Sequence, residues 1–285
     1  MNFKELVKVT LTKEHLSPKR IKEIVHNTIP YIRHETRLHY LEKYLPNHEQ
    51  NNCIFSFSWR EKNLKIPVSF YLPDLNDYVQ QEIWLKKSFY ETPELFIFRK
   101  YIDASAIIAD CGTNIGNHTI FFAKVIGVQK VYSFEPIPRT FAILKKNIEI
   151  NNLKSKVVLE NTALGQKKAQ VSVISFNPKN WGGTTLGYCP PSENADVMPC
   201  ISLDEYFINH KPLPTHLKID VEGFESELLK GADELLTKQH PTIFIEIQKH
   251  NLEQVMSLLN KYGYICKEKL NGENYIYIYE PDFKA

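Results

Sequence analysis

The chain has 285 residues, of which 43% are apolar and 24% are charged. This is ordinary composition for a globular protein, and it excludes a collagen-like or wholly disordered chain. The 35 basic and 33 acidic side chains leave a formal net charge of +2. Overall charge therefore gives no reason to expect nucleic-acid binding, which depends on clustered excess positive charge.

The cysteines and the terminal segment indicate the cellular setting. An odd number of cysteines without C-x-x-C spacing argues against a disulfide framework and against a thiolate zinc site. Charges occur too early at the N-terminus for a signal peptide. No run approaches the ~20 apolar residues of a membrane span. We therefore expect a soluble, cytoplasmic protein.

The first 75 residues have mixed character. Ser17-Pro18 begins a helical pattern that continues to Leu45, and Pro30 divides it into two helices. Five of the ten histidines fall in this region, but no two have i, i+4 spacing, so solvated helix faces are favoured over a metal site.

Two strands are predicted next, at 53–59 and 64–72, joined by a turn. We expect residues 1–75 to form an extension of helices and a β-hairpin, with a possible role in homo-oligomer contact. Residues 76–285 are expected to form the main domain.

From about residue 93, strands and helices alternate. Short apolar strands are predicted at 106–110, 130–134, 156–160, 216–221 and 241–247. Helices are predicted at 93–101, 117–125, 138–151, 225–230, 233–237 and 251–262. Such alternation implies a parallel sheet with helices on both faces. A loop is expected between about 177 and 199, and Asn271-Gly272 predicts that the last two strands, 264–269 and 274–279, form an antiparallel hairpin.

A glycine-containing motif lies between the first of these strands and its helix, at Asp110-Cys-Gly-Thr-Asn-Ile-Gly-Asn117. Ligands of doubly wound sheets bind at this position, outside the carboxyl ends of the strands. Glu135 ends the next strand, nineteen positions after Gly116, where a carboxylate binds ribose hydroxyls. Together, the glycine loop with Asp110 and the carboxylate of Glu135 predict a nucleoside cofactor. The alternative, in which Asp110 only caps the loop and Glu135 is only a solvated strand end, is less favoured.

Asp110 indicates which cofactor. A carboxylate beside a pyrophosphate would repel it, and the G-x-G-x-x-G spacing of dinucleotide sites is missing. The same carboxylate would attract an ammonium or sulfonium group, so S-adenosylmethionine is favoured. A nicotinamide-dependent oxidoreductase and a non-catalytic binding protein on the same fold remain alternatives.

Charged residues interrupt the strand at 216–221. Lys218 and Asp220 share one face of it, and a lysine in a central strand has to be paired or catalytic. Glu246 occurs on the neighbouring strand, and Glu222 follows the strand end. We favour Asp220 as a general base, with Glu246 second. A structural ion-pair network and a divalent metal on the three carboxylates stay open, although no metal is predicted.

The chain resembles the FkbM-type family of class I S-adenosylmethionine-dependent methyltransferases over about residues 80–250. The most specific motif is Lys218-Ile-Asp-Val-Glu-Gly-Phe-Glu225. The others are 110–117, Phe134-Glu-Pro136, Asn161-Thr-Ala-Leu-Gly165, Ile201-Ser-Leu-Asp204 and Ile245-Glu-Ile247. The resemblance implies an α/β, doubly wound Rossmann-like sheet of seven strands with an antiparallel last strand. It also implies O-methylation of a hydroxyl on a sugar, glycan or small natural product.

The resemblance and the motifs together predict the site. Residues expected to contact the cofactor are Glu91, Asp110, Gly112, Thr113, Asn114, Gly116, Asn117, Glu135, Pro136, Asn161, Thr162 and Ala163. The expected catalytic group is Asp220, Glu246, Lys218 and Glu222. On the acceptor side, Trp181 and Gly182 lie in a segment that resembles the family's substrate loop, where the tryptophan either stacks on a sugar and moves as a lid or anchors a surface turn. His118 is a weaker candidate, because an ordinary helix-face histidine is favoured.

Overall fold

The computed structural model describes residues 52–61, 63–190, 197–270 and 272–282. The strands are β1 (Ile54–Glu61), β2 (Leu64–Tyr71), β3 (Ile107–Cys111), β4 (Lys130–Phe134), β5 (Val157–Glu160), β6 (Ala163–Leu164), β7 (Ala169–Asn177), β8 (Asn180–Cys189), β9 (Val197–Ile201), β10 (His216–Ile219), β11 (Thr242–Glu246), β12 (Tyr264–Lys269) and β13 (Asn274–Tyr279). The α-helices are α1 (Tyr78–Lys86), α2 (Thr92–Phe98), α3 (Asn117–Ile120), α4 (Pro138–Ile150), α5 (Leu203–Asn209), α6 (Glu225–Lys230) and α7 (Leu252–Lys261). The helices expected within 17–45, the five early histidines and Asn271 lie outside the described residues.

The central sheet has seven strands in the order β12-β13-β11-β10-β3-β4-β5. β13 runs antiparallel to both of its neighbours, whereas β11, β10, β3, β4 and β5 pair in parallel. All five residues of β3 are buried, as expected for a parallel strand covered on both faces. The doubly wound fold with an antiparallel last strand is confirmed.

Helices cover the two faces of this sheet. Ile108 of β3 packs in an apolar cluster with Phe121 and with Leu144 of α4. Its neighbour Ala109 packs on the opposite face with Leu228 of α6. Successive side chains of β3 therefore face opposite helix layers, because side chains alternate along a strand. In a sheet of this kind the ligand site lies outside the carboxyl ends of the parallel strands.

A second sheet, in the order β6-β9-β7-β8, replaces much of the loop expected at 177–199. That expectation was wrong, because β8 pairs with β7 in antiparallel register although it contains Gly182, Gly183 and Gly187. The burial of Trp181 supports this strand. Packing outweighs the low strand propensity of glycine here.

Two helices were missed by the sequence analysis. α1 begins after Asp77, whose carboxylate accepts a hydrogen bond from the Gln80 backbone N–H at 3.0 Å. α5 begins after Ser202, whose hydroxyl accepts from the Glu205 N–H at 3.2 Å. Both are ordinary N-caps. The expected helix 117–125 is split, since α3 continues as a wider π-helical turn over Phe121–Ile126.

The hairpin of β1 and β2 packs into the core of the main sheet. Phe70 of β2 meets the Phe89 ring edge-on at 5.9 Å, and Trp59 of β1 lies 5.7 Å from the Phe121 ring. The Tyr71 backbone N–H also donates to Asn147 Oδ1 on α4 at 2.5 Å. The hairpin therefore shares a core with the main domain, and a boundary at residue 75 stays a prediction.

Candidate active site

A cavity opens at the carboxyl ends of β3, β4, β10 and β11 and encloses about 1160 Å³, including its open mouth. The predicted residues on its wall are Glu91, Gly112, Thr113, Asn114, Asn117, His118, Glu135, Pro136, Thr162, Ala163, Trp181, Gly182, Lys218, Asp220, Glu222 and Glu246. Asp110, Gly116 and Asn161 are not on the wall. Wall residues that were not among the predicted contacts include Val79, Thr140 and Phe224. No sequence signal pointed to Val79, because α1 was not predicted.

The glycine loop packs directly against the end of β10. Gly112 has a φ of +80°, and a Cβ at this position would lie 1.7 Å from the Asp220 carbonyl oxygen. The backbone N–H groups of Gly112 and Thr113 both donate to the Phe134 carbonyl oxygen at the end of β4. Only glycine fits this close approach, which joins the ends of three neighbouring strands.

Glu135 lies on the cavity wall with 6% of its surface exposed. Its Oε2 accepts from the Asn114 backbone N–H and its Oε1 from the Ile137 N–H, both at 2.9 Å. Burial raises the pKa of Glu135 to about 7, although the two N–H groups oppose this shift. Each oxygen keeps a second lone pair for a ligand hydroxyl. Asn161 donates to the Glu135 carbonyl oxygen at 2.8 Å and so supports the wall from outside.

Asp110 lies beneath the glycine loop. It is fully buried, and its Oδ2 accepts from the Thr119 hydroxyl at 2.6 Å. Its Oδ1 has no hydrogen-bond partner among the described residues. Burial raises the pKa of Asp110. Gly116 also lies below the wall, where a Cβ would meet the Leu144 side chain at 2.8 Å.

The side-chain amide of Asn117 makes hydrogen bonds with both backbone groups of Tyr90. The Tyr90 N–H donates to Asn117 Oδ1 at 2.9 Å, and Asn117 Nδ2 donates to the Tyr90 carbonyl at 3.0 Å. The next residue, Glu91, has a left-handed φ of 53° and lies on the cavity wall. Burial, and then the charge of Asp220, raises the pKa of Glu91 to about 7.

His118 is a buried wall residue. Its Nε2 lies 3.4 Å from Glu91 Oε2 and makes no hydrogen bond with the described residues. Burial, and then the charge of Lys218, lowers the pKa of His118 well below its ordinary value. The imidazole is therefore neutral, and no salt bridge to Glu91 forms.

Lys218 and Asp220 form a hydrogen-bonded ion pair in which Lys218 Nζ lies 3.0 Å from Asp220 Oδ2. Burial opposes the charge on Lys218, but the carboxylates of Asp220, Asp110 and Glu91 outweigh it and raise the pKa of Lys218. Lys218 is therefore a permanent cation, whereas the Asp220 side chain is 24% exposed and faces the cavity.

Two further carboxylates complete this end of the cavity. The charge of Asp220, and then burial, raises the pKa of Glu246 to about 8. Burial, and then the charge of Asp220, raises the pKa of Glu222 to about 7, while Gln248 Nε2 donates to Glu222 Oε2 at 2.8 Å. These carboxylates repel one another and compete for protons near neutral pH.

Trp181 is held from several sides. Its backbone N–H donates to Asp77 Oδ2 at 2.9 Å, and its indole N–H donates to the Pro178 carbonyl at 3.1 Å. The Arg139 guanidinium lies 3.8 Å from the centre of the indole ring. Trp181 is thus a buried residue of β8, not part of a surface turn, and Arg139 already stacks on its ring.

Two absences apply to the described residues only. No group of three or more His, Cys, Asp or Glu side chains among them is arranged to hold a metal ion. No described helix has the length and apolar character to cross a membrane.

The sequence profile of the methyltransferase FkbM domain matches residues 110–266, which is more than half of the chain. The chain belongs to the FkbM methyltransferase family. This confirms the resemblance inferred from the motifs and the prediction of a methyltransferase. S-adenosylmethionine is the cofactor that this assignment supports.

Individual relatives are distant. Methyltransferase 1 of Beauveria bassiana is 26% identical over 179 residues, covering 55% of this chain and 68% of that protein. Hexuronic acid methyltransferase AglP of Haloferax volcanii is 30% identical over 126 residues, covering 44% of this chain and 49% of that protein. The crystal structure of methyltransferase FkbM from Methylobacillus flagellatus superimposes with a TM-score of 0.45 at 18% identity, covering 62% of this chain and 44% of that chain. The matches thus span about half to two thirds of these curated relatives.

Proposed function

We propose that the protein transfers a methyl group from S-adenosylmethionine to a hydroxyl oxygen of a sugar, glycan or small natural product. The observation that carries this proposal is the charge of the cavity wall. Its basic side chains, among the described residues, are the neutral His118 and Lys218, which is paired with Asp220. A pyrophosphate cofactor would find no free cation here, whereas a sulfonium cofactor needs none.

The wall residues also fit the nucleoside part of this donor. Glu135 presents a carboxylate, the group that pairs with the two hydroxyls of a ribose. Asn114 Oδ1 is buried on the same wall without a hydrogen-bond partner among the described residues, so it is available to a ligand N–H or O–H. Buried polar atoms are seldom left unpaired in a finished site.

The proposed chemistry is a direct methyl transfer. S-adenosylmethionine supplies, when bound, an electrophilic methyl group on a sulfonium. Lys218 holds Asp220 Oδ2 at 3.0 Å, and we assign the other oxygen, Oδ1, to accept the proton of the acceptor hydroxyl. The new C–O bond would form as the C–S bond of the sulfonium breaks, which would leave a neutral thioether. Glu246, on the neighbouring strand, is the alternative base. The remaining rate enhancement would come from the cavity wall, which positions the acceptor next to the methyl donor.

Calorimetric titration tests the cofactor assignment. S-adenosylmethionine should bind, NADH should not, and Glu135→Ala should weaken binding by about 1–3 kcal/mol because charged hydrogen bonds are lost. Glu253→Ala, at an exposed position on α7, is the control. Since Glu135 also accepts two backbone N–H groups, the melting temperature of Glu135→Ala and of the milder Glu135→Gln should be measured in parallel.

Transfer of radiolabelled methyl groups then tests the reaction. The acceptor source is a fractionated extract from a strain that lacks the gene. Label in a hydroxyl-bearing fraction, absent with Asp220→Asn, is expected. Binding of NADH in place of S-adenosylmethionine would contradict the proposal, and so would labelling of nitrogen or carbon.

A further inference from the structure

We propose that the hairpin formed by β7 and β8 is a docking surface for an anionic lipid membrane. The surface is here called the hairpin patch, and its members are Val173, Ile174 and Phe176 of β7. This membrane site is separate from the proposed methyl transfer and does not depend on the identity of the acceptor.

The apolar side chains of the hairpin patch are exposed. Ile174 is 72% exposed and Phe176 is 50% exposed. Every residue from Val173 to Lys179 is exposed, whereas Val171, at the start of the same strand, is fully buried in the core of the second sheet. The strand thus continues beyond the protein core. Adjoining exposed apolar side chains indicate an interaction site, which single ones do not.

The patch occupies both faces of the hairpin. Val173 pairs with Leu186 of β8, and directly opposite residues share a face. Ile174 lies against the other face, because a Cβ added at Gly187, the residue after Leu186, would be 2.3 Å from Ile174 Cδ1. A rigid protein surface would cover one of these faces. The boundary between headgroups and acyl chains in a bilayer instead surrounds a protruding segment.

The charge of this segment is complementary to an anionic surface. Residues 161–190 contain three lysines and no Asp or Glu. Lys167 and Lys168 precede β7, Lys179 lies in the turn after it, and all three are exposed. Cations are thus present at both ends of the strand that carries the patch. Anionic lipids attract such lysines, and burial of the apolar side chains between them adds affinity.

Two acidic side chains approach the ends of the hairpin, and both already have partners. Glu227 acts on Tyr188 near the end of β8, but its Oε1 lies 2.6 Å from Lys230 Nζ. Asp77, at the other end, is buried and accepts a hydrogen bond from the Trp181 backbone N–H. Neither carboxylate presents an unpaired negative charge beside the patch.

A second copy of the chain fits this surface less well than a membrane does. In a symmetric dimer the same surface meets itself, so the lysines around the patch would face those of the partner and repel them. Three apolar side chains also bury far less than the roughly 800 Å² per partner of a stable interface. A membrane supplies the opposite charge and does not require a large preformed interface.

Sedimentation of the full chain with lipid vesicles tests the proposal. The vesicles consist of phosphatidylcholine alone, or of phosphatidylcholine and phosphatidylglycerol in equal amounts. We expect binding to the mixed vesicles to be at least about tenfold tighter, because anionic headgroups attract the lysines. This difference should shrink at about 0.5 M salt, which screens exposed charges.

Matched variants locate the apolar contact. Ile174→Ser should weaken binding to the mixed vesicles at least about fivefold, because a large apolar side chain loses its burial. Ile208→Ser, at a 70% exposed position on α5, should leave binding unchanged. Phe176→Trp should be quenched by brominated lipid, whereas Phe96→Trp, which is also at a 50% exposed position, should not.

A second set of variants tests the charge. Lys167→Gln combined with Lys168→Gln should weaken binding to the mixed vesicles about tenfold. Lys145→Gln combined with Lys146→Gln removes the same net charge from an exposed part of α4 and should have little effect. Equal losses in the two double variants would mean that overall charge, not the hairpin, attracts the protein.

Binding to the mixed vesicles that only the hairpin variants reduce supports the proposal. No binding, equal binding to both kinds of vesicle, or a loss that the control variants share would overturn it. Light scattering and the melting temperature of Ile174→Ser identify other occupants. A wild-type dimer that this variant dissociates would assign the patch to a second copy, and a large fall in melting temperature would mean that the chain itself covers the patch. Either result overturns the membrane site and leaves the proposed function standing, because vesicle binding is measured without cofactor or acceptor.

Discussion

The ion pair of Lys218 and Asp220 determines how the end of β10 can act in catalysis. Lys218 is buried and also lies close to the carboxylate of Asp110, so its charge stabilises two acids at once. The hydrogen bond from Lys218 Nζ to Asp220 Oδ2 keeps the Asp220 side chain oriented. The pair is therefore one unit, and loss of either member should disable it.

We predict that Asp220→Asn binds S-adenosylmethionine but loses about 10²–10⁴-fold in turnover, the usual contribution of a general base. Lys218→Met should lose turnover as well as stability, because Asp110 and Asp220 would be left without their counter-ion. The double variant should be no slower than the slower single variant. Cofactor affinity, melting temperature and turnover are measured together, with Asp282→Asn as an exposed control. Near-normal turnover in Asp220→Asn would transfer the role to Glu246.

Glu246 should leave a signature in the pH dependence of stability. Its pKa is raised from 4.5 to about 8 in the folded protein, so folding favours the protonated form. As the pH rises from 4.5 towards 8, the unfolded chain ionises first and the free energy of unfolding falls. Glu246→Gln removes this contribution, so urea unfolding from pH 5 to 9 should show a flatter profile than the wild type. Parallel profiles for the two proteins would contradict the raised pKa.

Strand polarity alone predicts where some side chains lie. Glu135, Asp220 and Glu246 all follow or end parallel strands, and such ends meet at one edge of the sheet, where all three line the cavity. Their roles stay predictions. The position of Asp110 depends on packing instead. A hydrogen bond from Thr119, nine residues later, directs its carboxylate under the loop and away from the wall. No sequence pattern specifies that contact.

At the scale of elements, Asn117 connects the turn before α2 with the start of α3. Its amide satisfies both the N–H and the C=O of Tyr90 and thereby fixes the adjoining Glu91. A turn with a left-handed residue at Glu91 is costly unless such contacts hold it.

We predict that Asn117→Ala lowers the free energy of unfolding by about 2–3 kcal/mol, since two partly buried backbone groups of Tyr90 lose their partners. Asn117→Asp keeps the acceptor and should cost less. Both should weaken S-adenosylmethionine binding by displacing Glu91. Urea unfolding and calorimetry provide the measurements, and Asn209→Ala at the exposed end of α5 is the control. An unchanged affinity in a destabilised Asn117→Ala would limit the role of this amide to folding.

The elements predicted correctly were those with strong periodicity or continuous apolar character, such as β3, β4, β10 and α4. Those missed have weaker local signals. α1 buries Gln80, Gln81 and Glu82, so its polar sequence conceals a buried helix. β8 is interrupted by glycines and owes its strand pairing to β7. In both cases tertiary contacts outweigh local preference.

At the scale of the molecule, the packing of the β1–β2 hairpin determines whether the residues before 75 form a unit separate from the main domain. Val68, Phe70 and Leu72 are fully buried against the main core. Burial of this kind contributes about 1.5–3 kcal/mol per large side chain. Such a contribution is a large share of the stability of an ordinary domain.

We therefore predict that Phe70→Ala lowers the free energy of unfolding by about 3–5 kcal/mol. Leu64→Ala, in the same hairpin but 67% exposed, should change it by less than about 0.5 kcal/mol. Urea unfolding followed by circular dichroism distinguishes the two. A small effect of Phe70→Ala would mean that the hairpin is an appendage, as a domain boundary at residue 75 implies.

The left-handed backbone at Glu222 has a consequence for engineering the enzyme. Glu222 has a φ of 50°, a left-handed backbone geometry that Asn, Asp and Gly adopt more readily than residues with longer side chains. Glu246 instead ends a parallel strand, where β-branched and aromatic residues fit best. A library that seeks altered acceptor selectivity should therefore vary Glu222 among small polar residues first. Variants at that position relieve backbone strain while they change the charge of the cavity, so they are the ones most compatible with a folded enzyme.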